Sequence, residues 1–129
     1  MQITNNFNLS EFTCNKLGKF NLQPEPVPKE LIPNCIELAK NLQIIRNEIN
    51  EPITINSGYR SPQYNELIGG AKNSQHLQCK AADLKTKMKP SDLRDVIFEL
   101  MNESNIMEGG LKAYNSFVHY DIRGIYKTW

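Results

Sequence analysis

Histidine is scarce in this chain. There are two in 129 residues, His76 and His119. Cysteine is scarce as well: Cys14, Cys35 and Cys79 show no CxxC spacing, and an odd count argues against a disulfide framework. The expectation is a chain made and folded in a reducing compartment, the cytoplasm. Long apolar runs are missing. None approaches the roughly 20 residues needed to span a bilayer, so no membrane partner is expected. The opening residues, MQITNNFNLSEF, carry neither a basic n-region nor an apolar h-region, so no secretory signal is expected. Charge of one sign is lacking too, with 15 Lys and Arg against 14 Asp and Glu. That leaves no broad electrostatic case for nucleic acid, and no basic stripe with interleaved aromatics supplies a local one. The cluster Lys85–Lys89 reads as a solvated loop.

What is present fits one domain over residues 1–129, long enough for a real core. Ser10 is a candidate cap for a short helix over Ser10–Cys14. Pro24, Pro26, Pro28 and Pro33 make Gln23–Pro33 an extended, wrapping connector. Cys35, Leu38, Ala39, Leu42, Ile45 and Ile49 recur at three- and four-residue steps. They predict a core helix over Asn34–Asn50, capped by Asn34 and ended by Pro52. Ile53–Asn56 alternates as a half-buried strand and delivers Ser57–Ser61 to its end. A short helix near Gln63–Ile68 and a strand over Lys80–Leu84 follow. A helix from Pro90 to Asn102 comes next, with Pro90 and Asp92 suited to its first turn. Leu111–Tyr114 and Phe117–Ile122 read as two strands joined near Asn115. Helices come first and strands mostly late, so the expected class is α+β, a small antiparallel sheet flanked by helices.

Each histidine sits in its own motif-like stretch: His76 in Ser74–Asp83 (SQHLQCKAAD) and His119 in Phe117–Arg123 (FVHYDIR). Two imidazoles and the Asp83 carboxylate are a sufficient ligand set for a catalytic zinc, which keeps a fourth position open. Spacing alone leaves two ordinary half-buried histidines as the alternative.

The segment SGYRSPQYNELIGGAKNSQHLQCKAADL, followed by GGLKAYNSFVHYDIRG, resembles the VanY-type zinc D-Ala-D-Ala carboxypeptidases and related peptidoglycan endopeptidases. These share a superfamily with hedgehog-like folds. The family motif Ser-x-His-x-x-Gly-x-Ala-x-Asp is matched at Ser74, His76, Ala81 and Asp83, with Cys79 in place of glycine. His119 matches the late zinc histidine, and Ser57–Ser61 matches an upstream SGYRS segment. The resemblance implies one Zn²⁺ held by His76, Asp83 and His119. It implies an Arg60 beside the metal that contacts substrate, and a Ser74 that binds substrate or caps a turn. The implied partner is a peptidoglycan stem peptide with a D-amino acid at the cleaved bond; a monomer is expected. A phage endolysin, made in the cytoplasm and released later, would reconcile a wall substrate with the missing signal.

Two departures from the family pattern matter. Several branches place an acidic or histidine base two or three residues before the second zinc histidine. Here Phe117 and Ser116 occupy those positions. Asp121 shares a strand face with His119 and could orient that ligand, act as base or form a salt bridge. Glu108 and Tyr114 are further base candidates. Arg60 has a structural alternative, pairing with a carboxylate such as Asp121. Cys79 could join the metal and close the site, although a small buried thiol is the commoner outcome. These departures keep open a rival reading, a non-catalytic binding or structural module of the same fold.

Overall fold

A computed structural model describes residues 1–129. The chain opens with a segment that wraps the core. Leu9–Phe12 forms a 3-10 turn capped by Asn8, whose side chain accepts from the Ser10 N–H. Glu11 returns a bond to the Asn8 N–H at 2.7 Å, which completes a capping box. The short helix expected at Ser10–Cys14 is therefore this turn, and Ser10 is not its cap. It places Phe7 and Phe12 in the core. Cys14 then pairs with Glu25 in an isolated antiparallel bridge, so the proline-rich run is tied to the body of the protein.

Helix α1 spans Ile32–Ile49 and begins two residues before the expected start. Pro33 sits in its first turn, where a missing N–H leaves no bond unmade. Asn34 is not a cap. Its side chain donates instead to the Gln78 carbonyl, at 3.0 Å. The expected stripe is buried as Cys35, Leu38, Ala39, Leu42 and Ile45, joined by the polar Asn41. Asn41 satisfies itself by donating to the Glu37 carbonyl and accepting from the Met107 N–H, both at 2.8 Å. Asn50, in the left-handed conformation, ends the helix.

Strands β1 (Thr54–Ser57), β2 (Ala81–Lys85), β3 (Leu111–Ala113) and β4 (Val118–Asp121) form one antiparallel sheet in the order β1-β2-β4-β3. Helix α2 (Pro62–Leu67) follows β1, and helix α3 (Pro90–Asn102) follows β2. The class is α+β, as expected. Between the central strands, Ala82 pairs with Tyr120 and Leu84 with Val118, while Ala81 pairs with Asp121 and Asp83 with His119. Side chains alternate across a strand, so these two sets point to opposite faces. Ala82, Leu84, Val118 and Tyr120 are fully buried in the core with residues of α1 and α3. Helix α3 packs Leu93, Ile97, Leu100 and Met101 inward and lies against β3 and β4. No helix is long and apolar enough to cross a membrane.

A 3-10 turn over Gln75–Gln78 leads into β2 and ends at Cys79, which has φ 55° and ψ 35°. That left-handed conformation explains why glycine suits the position, since a Cβ there costs about 1–2 kcal/mol. Cys79→Ala and Cys79→Gly both remove the buried thiol, but only the glycine variant relieves the strain. Urea denaturation should therefore find Cys79→Gly about 1 kcal/mol more stable than Cys79→Ala. Equal stabilities would show that the backbone there carries no cost.

Candidate metal centre

The face of the sheet opposite α1 and α3 carries the polar set. Asp83 on β2 and His119 on β4 are cross-strand partners, and His76 reaches them from the Gln75–Gln78 turn. Their donor atoms lie within 4.8 Å of one another. A cavity of about 720 Å³ opens over them, also lined by Arg60, Ser74 and Arg123.

The orientation of each ring follows from its outer hydrogen bond. His76 Nδ1 lies 2.7 Å from the Gly58 carbonyl, which can only accept, so Nδ1 carries the proton. Its Nε2 is then a lone pair directed at Asp83 Oδ1, 3.4 Å away. This nitrogen is buried and has no hydrogen-bond partner. Leaving such an atom unsatisfied costs about 1–3 kcal/mol. His119 is oriented from the other side, with Nε2 donating to Asp121 Oδ2 at 2.8 Å and Nδ1 3.2 Å from Asp83 Oδ1.

These distances fit a metal ion. Tetrahedral ligands about 2.0–2.1 Å from zinc sit roughly 3.4 Å apart. The separations from Asp83 Oδ1 to the two histidine nitrogens are 3.4 and 3.2 Å. Nitrogen and carboxylate donors suit Zn²⁺, and three of them leave one position open. Burial pushes His76 toward its neutral, ligating form. Burial alone would raise the Asp83 carboxyl, but the two imidazoles beside it, His119 foremost, outweigh burial and hold the group below the usual carboxylate range. Burial likewise works against a charged His119, yet its bonds to Asp121 and Asp83 raise its pKa.

Asp121 lies behind His119 and is fully buried. Its Oδ1 accepts from the Gly110 N–H at 2.8 Å and Arg123 Nε at 2.9 Å, and its Oδ2 from Arg123 Nη2 at 2.7 Å. A Cβ on Gly110 would run into Asp121 Oδ2, so glycine is required for this approach. Burial would raise the Asp121 carboxyl, but bonds from Arg123 and His119 keep it below its ordinary range. Asp121 does not line the cavity. Of the roles open to it in sequence, a base acting inside the cavity does not fit this geometry.

Arg60 does line the cavity. Its partner is Asp83 Oδ2, at 3.4 Å, and not Asp121, whose oxygens Arg123 occupies. Ser57 Oγ and Asn65 Oδ1, each at 3.2 Å, hold the rest of the guanidinium. Ser74 caps the turn, its Oγ accepting from the His76 N–H at 3.2 Å, and it also borders the cavity. The Cys79 thiol faces Cys35, and that contact together with burial pushes its pKa up. It is not among the grouped donors, so the four-ligand alternative is not met. Glu108 lies elsewhere, in a hollow beside Phe98 and Tyr126. Sequence reasoning missed Arg123, Lys127 and Trp129 as cavity residues. Arg123 had one signal, its place two residues after Asp121 on the same motif.

A family model described as Peptidase M15 matches residues 5–121. The chain belongs to this family. A stretch of 52 residues is 42% identical to the zinc D-Ala-D-Ala carboxypeptidase of Streptomyces albus G. That match takes in 40% of this chain and 20% of the relative, so the chain spans about a fifth of the curated relative's length.

The Asp121 carboxylate fixes which His119 nitrogen is free. Asp121→Asn should weaken zinc binding by about ten- to a hundredfold, measured by competition with a chromogenic chelator. Unchanged affinity would show that His119 holds its orientation without the carboxylate.

Proposed function

We propose that this member of the M15 family is a zinc metallopeptidase that hydrolyses peptidoglycan stem peptides, with removal of a C-terminal D-alanine as its leading activity. The observation that supports this most is the buried, unpartnered Nε2 of His76, aimed at Asp83 and His119 on the floor of an open cavity. In this reading His76 Nε2, Asp83 Oδ1 and His119 Nδ1 hold one Zn²⁺. When bound, the ion supplies Lewis acidity that lowers the pKa of water and polarises a carbonyl.

The protein's own groups do the remaining work. Gly58 and Asp121 set the two imidazole tautomers from outside the ligand set. Arg60, held by three acceptors beside Asp83, presents a fixed positive charge to a substrate carboxylate or to oxygen charge developing during attack. Ser74 holds the turn that carries His76 and can offer its hydroxyl to the bound peptide. The place of action on this reading is the cell wall. Internal cleavage of cross-linked stems, in the manner of an endolysin, is the finer alternative within it. A non-catalytic zinc module is the second reading. It is favoured by Asp83 being the sole side-chain carboxylate of the cavity, with no Asp or Glu beside it to serve as base.

Metal analysis of the purified protein, combined with digestion of defined muropeptides, tests the reading. About one zinc per chain and release of D-alanine are expected. Release of uncoupled stems instead would select the endopeptidase form. Zinc without any cleavage would select the non-catalytic module. Arg60→Ala should lower kcat/KM by about a hundredfold, the scale of one preorganised oxyanion donor, with zinc content unchanged. Wild-type turnover in that variant would remove Arg60 from the mechanism.

A further inference from the structure

Among the titratable side chains of the cavity, His76, Asp83 and His119 face the metal position, and Arg123 is committed to Asp121. Arg60 is pinned by Ser57, Asn65 and Asp83. Tyr114 and Lys127 are left. Tyr114 is the more firmly placed of the two. Its N–H donates to the Phe117 carbonyl at 2.8 Å, which closes the turn between β3 and β4. Its ring stacks on Phe117, with centroids 4.7 Å apart and planes 14° from parallel. Lys112 Nζ lies 5.2 Å from the same ring.

The hydroxyl is oriented as well. Trp129 Nε1 lies 3.0 Å from Tyr114 Oη. An indole N–H can only donate, so Oη accepts, and the phenolic proton has no partner in the protein. The Trp129 ring in turn meets the His119 ring edge-on at 5.1 Å. Trp129 thus links a metal-facing histidine to a free hydroxyl donor at the cavity wall.

We propose that Tyr114 is a catalytic residue that donates its hydroxyl hydrogen bond to the tetrahedral oxygen formed from the scissile carbonyl, and that Trp129 is the positioning residue that aims it. This rests on the metallopeptidase reading. No proton leaves Tyr114 in this role. It adds a second positioned donor beside Arg60 in a cavity whose one side-chain carboxylate, Asp83, faces the metal position. A donor positioned before the reaction needs no reorganisation as charge develops.

The test uses the zinc-loaded chain and Tyr114→Phe, which keeps the stacked ring and removes only the O–H. The expected result on a stem peptide ending in D-Ala-D-Ala is a kcat lowered about a hundredfold with KM within about twofold, and unchanged zinc content. Affinity for a phosphinate analogue of the dipeptide, which mimics the tetrahedral state, should fall in parallel. Trp129→Phe, which keeps an aromatic ring but has no N–H, should lower kcat less than Tyr114→Phe does. Trp129 is the chain's one tryptophan, so its emission reports the contact without any turnover. The spectrum should shift in Tyr114→Phe. Wild-type kcat and phosphinate affinity in Tyr114→Phe, beside an active wild type, would overturn the inference and leave the peptidase reading standing. Loss of zinc in that variant, or a change in KM alone, would also overturn it. A wild-type chain that neither cleaves the peptide nor binds the phosphinate would overturn both.

Discussion

The hydrogen bond from His76 Nδ1 to the Gly58 carbonyl is the constraint on which the centre depends. It fixes the imidazole tautomer, and so decides that a lone pair and not an N–H faces Asp83. It also joins two segments far apart in sequence, the loop after β1 and the turn before β2. A second bond, from the Arg60 N–H to the His76 carbonyl at 3.1 Å, ties the same segments in the opposite sense. Gly58 is held in place from behind. A Cβ there would sit 2.8 Å from Phe12 Cα, and the Tyr59 N–H donates to the Phe12 carbonyl at 2.9 Å. The N-terminal wrap thus braces the metal centre although none of its residues lines the cavity.

The sheet serves stability and chemistry through the same two-residue period. On β4, Val118 and Tyr120 enter the core while His119 and Asp121 face the other way. Tyr120 is buried with its hydroxyl satisfied, donating to the Met107 carbonyl at 2.7 Å. A one-residue slip would exchange these sets, leaving a histidine and a carboxylate in the core and a tyrosine in the cavity. The hydrophobic face therefore enforces the register that puts Asp83 opposite His119. The Asp121 cluster follows from the same register. Asp121 lies across from Ala81, whose small side chain leaves room, and next to Gly110, whose missing side chain leaves more.

The cavity has an uneven charge pattern. Arg60, Arg123 and Lys127 border it, and Asp83 is the one side-chain carboxylate among its lining residues. Arg123 is largely neutralised by its two bonds to Asp121. Arg60 shares Asp83 with two histidines, so much of its charge remains open to the cavity. Such an environment suits an anionic group on a bound ligand. Ser116 and Phe117 lie just before His119, and Phe117 serves as the stacking partner of Tyr114.

Local pattern was enough for much of this fold. The stripe of α1, the start of α3 at Pro90 and the alternation of β4 are properties of short windows, and each appears close to where it was expected. The candidate triad was legible because the only two histidines fall on two motifs. Partner choice was not legible. Arg60 met Asp83 and not Asp121, Asn34 met Gln78 and not its own helix, and Cys79 turned to Cys35. The free nitrogen of each histidine was likewise open until Gly58 and Asp121 were in place. Trp129 lies ten residues beyond His119, and no period links them, yet its ring rests on that imidazole. Sequence determines which faces are apolar and which residue types are available. Which polar atom meets which is decided only when strands take their register and loops close, because hydrogen bonds depend on distances that no local pattern contains.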